Sequence, residues 1–136
     1  MTVKKIDHIG VAVKDLSRAI TLYKNLLGCE PQAIEELQSE GVKIAFFQVG
    51  ESSVELLEAI REDSPIAKFI RQRGEGIHHL CFRVDALEDK ARELSASGLR
   101  CLDTQPRRGA HNTRVCFFHP KDTGGVLIEF SEAVNP

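Results

Sequence analysis

Apolar positions along this chain follow two rhythms, alternation at every second residue and recurrence at every third or fourth, and the same order of rhythms occurs twice. The run Lys5-Ile6-Asp7-His8-Ile9-Gly10-Val11-Ala12-Val13 aligns with Gly76-Ile77-His78-His79-Leu80-Cys81-Phe82-Arg83-Val84 at an offset of 71 residues, pairing His8 with His79. A helical pattern follows each run. Leu16, Ala19, Ile20, Tyr23, Leu26 and Leu27 share a helix face and stop before Gly28. Leu87, Ala91 and Leu94 stop before Gly98, with Asp85 and Glu88 spaced for a capping box at the helix start. Strands then return in both halves. Ile44-Ala45-Phe46-Phe47-Gln48 matches Val115-Cys116-Phe117-Phe118-His119 at 71, and Val54-Glu55-Leu56 matches Ile128-Glu129-Phe130 at 74, so the last turn of the second half is three residues longer.

Each half thus predicts a strand, a helix and about three strands, the last two joined by turns at Gly50 to Ser53 and at Lys121 to Gly125. Ser64-Pro65 opens a short helix that ends at Gly74 and links the halves, with Ser as N-cap and Pro at the first helical position. The expected fold class is α+β. Two fused βαβββ modules, 1–62 and 75–136 around a linker helix at 63–74, form a curved sheet around a cleft within one domain.

Composition narrows the function classes. A chain of 136 residues with 42% apolar and 28% charged side chains has the material for one core. A net charge of −2 with dispersed basic residues gives no footprint for nucleic acid or an acidic membrane. Apolar runs fall far short of the roughly 18 residues a spanning helix needs, and the opening residues run into a strand with no leader pattern, so the expected location is the cytoplasm. Cys29, Cys81, Cys101 and Cys116 lack C-x-x-C spacing and read as reduced, partly buried thiols.

Strand parity then selects four side chains. Ile9, Val11 and Val13 form the face expected to pack on the following helix, which leaves His8 with Gly10 and Ala12 on the other. In the matching strand Leu80, Phe82 and Val84 form the apolar face with His78, so His79, beside Cys81 and Arg83, is the partner of His8. Glu55 and Glu129 are each bracketed by apolar residues and point away from that apolar face. A carboxylate inside so apolar a strand asks for a partner, either a cation or a role as a buried base. If the modules pack with pseudo-twofold symmetry, His8, Glu55, His79 and Glu129 converge. Two imidazoles and two carboxylates suit one divalent ion of the Zn, Co, Mn, Ni or Fe(II) kind better than Ca, with positions left for substrate oxygens. His119-Pro120 reads as a turn or a support for the site, and His111, in Gly109-Ala110-His111, as a loop residue either contacting substrate or simply solvated.

Paired modules with a His/Glu, His/Glu quartet resemble the vicinal oxygen chelate superfamily, which is glyoxalase-like, and the resemblance spans essentially the whole chain. Within it, Asp7-His8-Ile9-Gly10, Val54-Glu55-Leu56-Leu57-Glu58, Asp63-Ser64-Pro65-Ile66-Ala67-Lys68-Phe69, Gly76-Ile77-His78-His79, Gly109-Ala110-His111 and His119-Pro120-Lys121 through Ile128-Glu129 resemble segments of the methylmalonyl-CoA epimerase family. The Ser-Pro-Ile-Ala linker and the His-Pro-Lys to Ile-Glu turn are the specific ones. The family's metal ligands fall on His8, Glu55, His79 and Glu129. Some members carry Gln at the position of Glu55. Where others place a second catalytic glutamate, this chain has Ile44, or Lys43 with a one-residue shift.

The resemblance implies an isomerase that interconverts the (R) and (S) forms of methylmalonyl-CoA by removing and returning an α-proton. It implies one divalent cation, of the Co, Mn, Zn, Ni or Mg class with cobalt favoured, an acyl-CoA substrate and a homodimer. Glu129 is then the first catalytic base and Glu55 its opposite-face partner, while Lys121, Arg107 and Arg108, with His111, offer weaker contacts to the substrate and its phosphates. A glyoxalase I-type lyase acting on a glutathione hemithioacetal, or a non-catalytic binding module of the same fold, are the alternatives.

Overall fold

Alternation builds the strands and the 3.6-residue period builds the helices, in the order the repeat predicts. The computed structural model describes residues 1–103 and 105–134; the last two residues of the expected second module, 135 and 136, lie outside them. The order is β1 (Lys5–Ala12), α1 (Leu16–Leu27), β2 (Ala33–Leu37), β3 (Val42–Val49), β4 (Ser52–Ala59), α2 (Pro65–Arg73), β5 (Gly76–Arg83), α3 (Leu87–Ala96), β6 (Arg107–Arg108), β7 (Thr113–Phe118) and β8 (Ile128–Ala133). The chain is thus a mixed α+β protein with βαβββ written twice.

Contacts divide the chain into a first unit, His8–His78, and a second unit that joins Met1–Asp7 to His79–Pro136. The division differs from the expected boundaries at 62 and 74. Helix α2 falls in the first unit, and the opening seven residues fall in the second, where Lys4 N–H donates to Arg83 O at 2.9 Å and Asp7 Oδ1 accepts from Arg83 Nη2 at 2.8 Å.

In the first unit β1 pairs in parallel with β4, while β4 with β3 and β3 with β2 are antiparallel, giving the order β2-β3-β4-β1. In the second unit β5 pairs in parallel with β8, and β8 with β7 and β7 with β6 are antiparallel, giving β5-β8-β7-β6. Each unit has its own core. Val13, Leu16, Ala45, Phe47 and Leu56 pack with Ala19, Ile20, Tyr23 and Leu27 of α1 in one; Val84, Leu87, Cys116, Phe118 and Phe130 pack with Ala91 and Leu94 of α3 in the other. Leu26 does not join its expected face and is 64% exposed.

The helix starts repeat a device that sequence does not display. Glu58, three residues after Glu55, accepts from the Leu16 amide at 3.4 Å, and Glu132, three after Glu129, accepts from the Leu87 amide at 3.3 Å. A carboxylate from the unit's fourth strand therefore satisfies one of the free amides of its helix. Asp15 also caps α1, accepting from Arg18 N at 3.2 Å, and Gly28 closes that helix in the left-handed region at φ 72°. The capping box expected for α3 does not form. Ala86 is its N-cap, without a side-chain cap bond, because Glu88 turns outward to pair with Arg114. Ser64 caps α2 as expected, accepting from Ile66 N at 3.0 Å. No helix among the described residues is long and apolar enough to cross a membrane.

Candidate active site

Register decides which side chains share a face with each histidine. In the first unit Gly10 stands opposite Glu55 and Glu55 opposite Phe46, so His8, Gly10, Glu55 and Phe46 lie on one face. Val11 and Val13, from the other face, pack on α1 as parity requires. His8 and Glu55 are buried, and His8 Nδ1 lies 3.0 Å from Glu55 Oε2. Ile44, opposite Leu57, is on the same face, whereas Lys43 stands opposite Glu58 on the helix side. Of these two candidates, only the buried Ile44 shares the face of Glu55.

The second unit repeats the arrangement. Cys81 stands opposite Glu129 and Glu129 opposite Phe117, placing them on one face with His79. His79 Nε2 lies 3.1 Å from Glu129 Oε1, and both residues are buried. His78 takes the other parity and packs edge-on against Phe69 at 5.0 Å. Around this second pair the surroundings are richer. The Phe117 ring meets His79 edge-on at 6.0 Å, the Arg107 guanidinium lies 5.1 Å from the Phe117 ring centre, and Arg107 Nε is 2.8 Å from Asp103 Oδ2.

The structure thus joins His8 to Glu55 and His79 to Glu129, each pair within its own unit. Two ligands of one divalent ion at metal–ligand distances of about 2.1 Å sit roughly 3.0 Å apart when they occupy neighbouring octahedral positions. Each pair has that spacing, and each buries a carboxylate that has to be met by positive charge or a donated hydrogen bond. The donor set fits a cation of intermediate softness.

The weaker candidates are more dispersed. Arg107 and Arg108 form the two-residue strand β6 paired with β7, with Arg107 opposite Val115 and so on the face of Glu129. Arg108 is exposed. His111 and Asn112 adopt positive φ values of 54° and 53° in an exposed turn, a backbone state unusual for residues other than glycine. Lys121 lies exposed in a 3-10 turn, Pro120–Asp122, and its amide donates to His119 Nδ1 at 3.1 Å, which gives His119 its capping role. Arg100 beside Asp122 in that turn holds the Asp122 carboxyl below its ordinary value. One residue escaped the sequence reading. Glu35 on β2 stands opposite Ile44, which puts it, half-buried, on the face of Glu55. The signal was the alternation of β2, which cannot be oriented until its register with β3 is known.

This fold and these paired sites define a recognisable class of protein. The model of the glyoxalase/bleomycin resistance protein/dioxygenase superfamily matches residues 7–117. Human mitochondrial methylmalonyl-CoA epimerase is 38% identical over 130 residues, covering 95% of this chain and 74% of that one. A variant of the Streptomyces coelicolor methylmalonyl-CoA epimerase, in complex with 2-nitronate-propionyl-CoA, superposes with a TM-score of 0.94 at 35% identity over 99% of this chain and 100% of that one. A methylmalonyl-CoA epimerase in complex with methylmalonyl-CoA and NH4+ gives 0.93 at 35% identity, covering 98% and 96%. The chain belongs to this superfamily and, within it, to the methylmalonyl-CoA epimerase family, and it is an epimerase enzyme.

Proposed function

We propose that this enzyme interconverts the (R) and (S) forms of methylmalonyl-CoA with the help of one divalent cation held jointly by His8, Glu55, His79 and Glu129. The observation that carries the proposal is the recurrence of one buried imidazole and carboxylate pair at repeat-equivalent positions of both units. A cation bound there supplies stabilisation for the negative charge that grows on the thioester oxygen as the α-proton leaves.

The chain's own groups move the proton. Glu129, held beside His79 and shielded from water, takes it from one face of the α-carbon, and Glu55 returns a proton to the other. Glu35 is a second reading for that opposite-face role, favoured by its position beside Ile44 on the face of Glu55. Arg107, stacked on Phe117 and oriented by Asp103, meets an anionic group of the substrate, with Arg108, Lys121 and His111 as outer contacts to the CoA phosphates. Cobalt is the favoured ion, and the enzyme acts as a cytoplasmic homodimer.

Proton NMR of (2R)-methylmalonyl-CoA in D2O tests the reading. Metal-replete protein is expected to erase the α-proton signal, and chelator-stripped protein to do so at least about tenfold more slowly. Equal rates with and without metal would remove the cation from the reaction. Loss of a glutathione hemithioacetal with no exchange of the thioester would point to the lyase instead.

A further inference from the structure

Outside the paired sites, two thiols of the second unit line a cavity that the epimerase chemistry does not use. Cys101 forms an isolated antiparallel bridge with Phe118, flanked by bonds from Leu102 N–H to Phe117 O at 2.8 Å and from His119 N–H to Arg100 O at 3.1 Å. Cys116, two residues before Phe118 on β7, projects to the same side and stands diagonally beside Cys101. Cys101 packs against the core cluster that holds Cys116, and both line a cavity of about 400 Å³ together with Ala91, Ser95, Gln105 and Pro106. Cys101 is half-buried and Cys116 buried. The other two cysteines differ: Cys29 is exposed, and Cys81 is fully buried on the face of Glu129.

We infer that Cys101 and Cys116 form a peroxide-oxidised thiol pair, with the cavity admitting a small hydroperoxide to Cys101. The Cys101 sulfur takes the terminal oxygen as the O–O bond breaks, giving a sulfenic acid and releasing water or an alcohol. The Cys116 sulfur then displaces that oxygen, its proton leaving with the hydroxyl as water, and an S–S bond forms. Two thiols and one hydroperoxide become one disulfide, one alcohol or water, and one further water. Burial, and then the neighbouring Cys101, push the Cys116 thiol up to about 12, so it waits as a protonated partner while Cys101 reacts first. Cys116 stands opposite Phe130, whereas Phe117 stands opposite Glu129, so the two sulfurs and the His79–Glu129 pair occupy opposite faces of the strands.

The test treats the intact Cys29→Ser chain with tert-butyl hydroperoxide, alkylates it under denaturing conditions and maps the peptides by mass. The expected result is one linked peptide joining residues 101 and 116, about 2 Da lighter than the sum of its two free-thiol peptides, with Cys81 fully alkylated. Cys101→Ser is expected to lower the linked peptide at least about tenfold, and Cys116→Ser to leave a Cys101 sulfenic acid that dimedone traps. Peroxide-treated protein in which Cys101 and Cys116 both remain alkylatable, or in which either is linked to Cys81, would overturn the inference. The peptide map of the Cys29→Ser chain separates these outcomes even if a further variant fails to fold.

Discussion

The two units carry the same buried pair in different surroundings. In the first, Glu55 sits between Gly10 and Phe46 on long paired strands, β3 and β4, of eight residues each. In the second, Glu129 sits between Cys81 and Phe117 on strands of six residues, and Phe117 leads on to Arg107 and Asp103. Duplication preserved what positions the pair, including the Glu58 and Glu132 bonds to the helix starts. It varied what surrounds it. The difference is that both units bury one imidazole and one carboxylate, while the second also sets Arg107 and Asp103 beside its pair.

The largest expected effect separates the two carboxylates. Glu129→Gln should lower α-proton exchange by about a thousandfold with folding retained, and Glu55→Gln by roughly ten- to a hundredfold, since an amide oxygen can still serve as a ligand. NMR exchange rates in D2O check both, and equal losses would erase the asymmetry. Glu35→Gln, run beside them, decides the opposite-face role: a loss larger than that of Glu55→Gln assigns it to Glu35.

Core substitutions should erase the difference between the units. Phe47 and Phe118 are repeat equivalents, 0% and 1% exposed. Replacement of either by Ala should cost about 3–5 kcal/mol in urea unfolding. A strongly unequal cost would show that the cores are not built alike.

Smaller effects belong to the helix starts. Helix α1 retains Asp15 when Glu58 is removed, but α3 has no other side-chain cap. Glu132→Ala should therefore cost about 1 kcal/mol and Glu58→Ala roughly half of that, read from denaturant midpoints.

The smallest expected effect is on pH dependence. Arg114 holds the Glu88 carboxyl, and Arg100 the Asp122 carboxyl, below their ordinary values of 4.5 and 3.8. A depressed folded value stabilises the native state above the unfolded value, and that contribution fades as pH falls below it toward the folded one. Both groups lie in the second unit, Glu88 exposed and Asp122 partly exposed, so Asp122→Asn should flatten acid unfolding slightly below pH 3.8 and leave neutral stability unchanged.

The repeat and the two buried His–Glu pairs were legible because both are one-dimensional. An offset of 71 can be counted along the chain, and a period of two states which face His8 or His79 takes without any knowledge of neighbours. What was hidden depends on pairing. Arg107 and Arg108 are too few to show a period, so their strand is visible only against β7. The capping box at Asp85 and Glu88 lost to distant partners, since Arg114 draws Glu88 away and Glu132 reaches Leu87 from β8. Glu35 was unreadable for the same reason, because only register tells an inward from an outward glutamate on an edge strand.

The central claim is that the two pairs serve one ion. Calorimetric titration of chelator-stripped protein with Co(II), alongside His8→Ala and His79→Ala, tests it most directly. The expected result is one ion per chain, with either substitution weakening binding by at least about a hundredfold. Two ions per chain, or a single-histidine variant that binds as tightly as the parent, would contradict it.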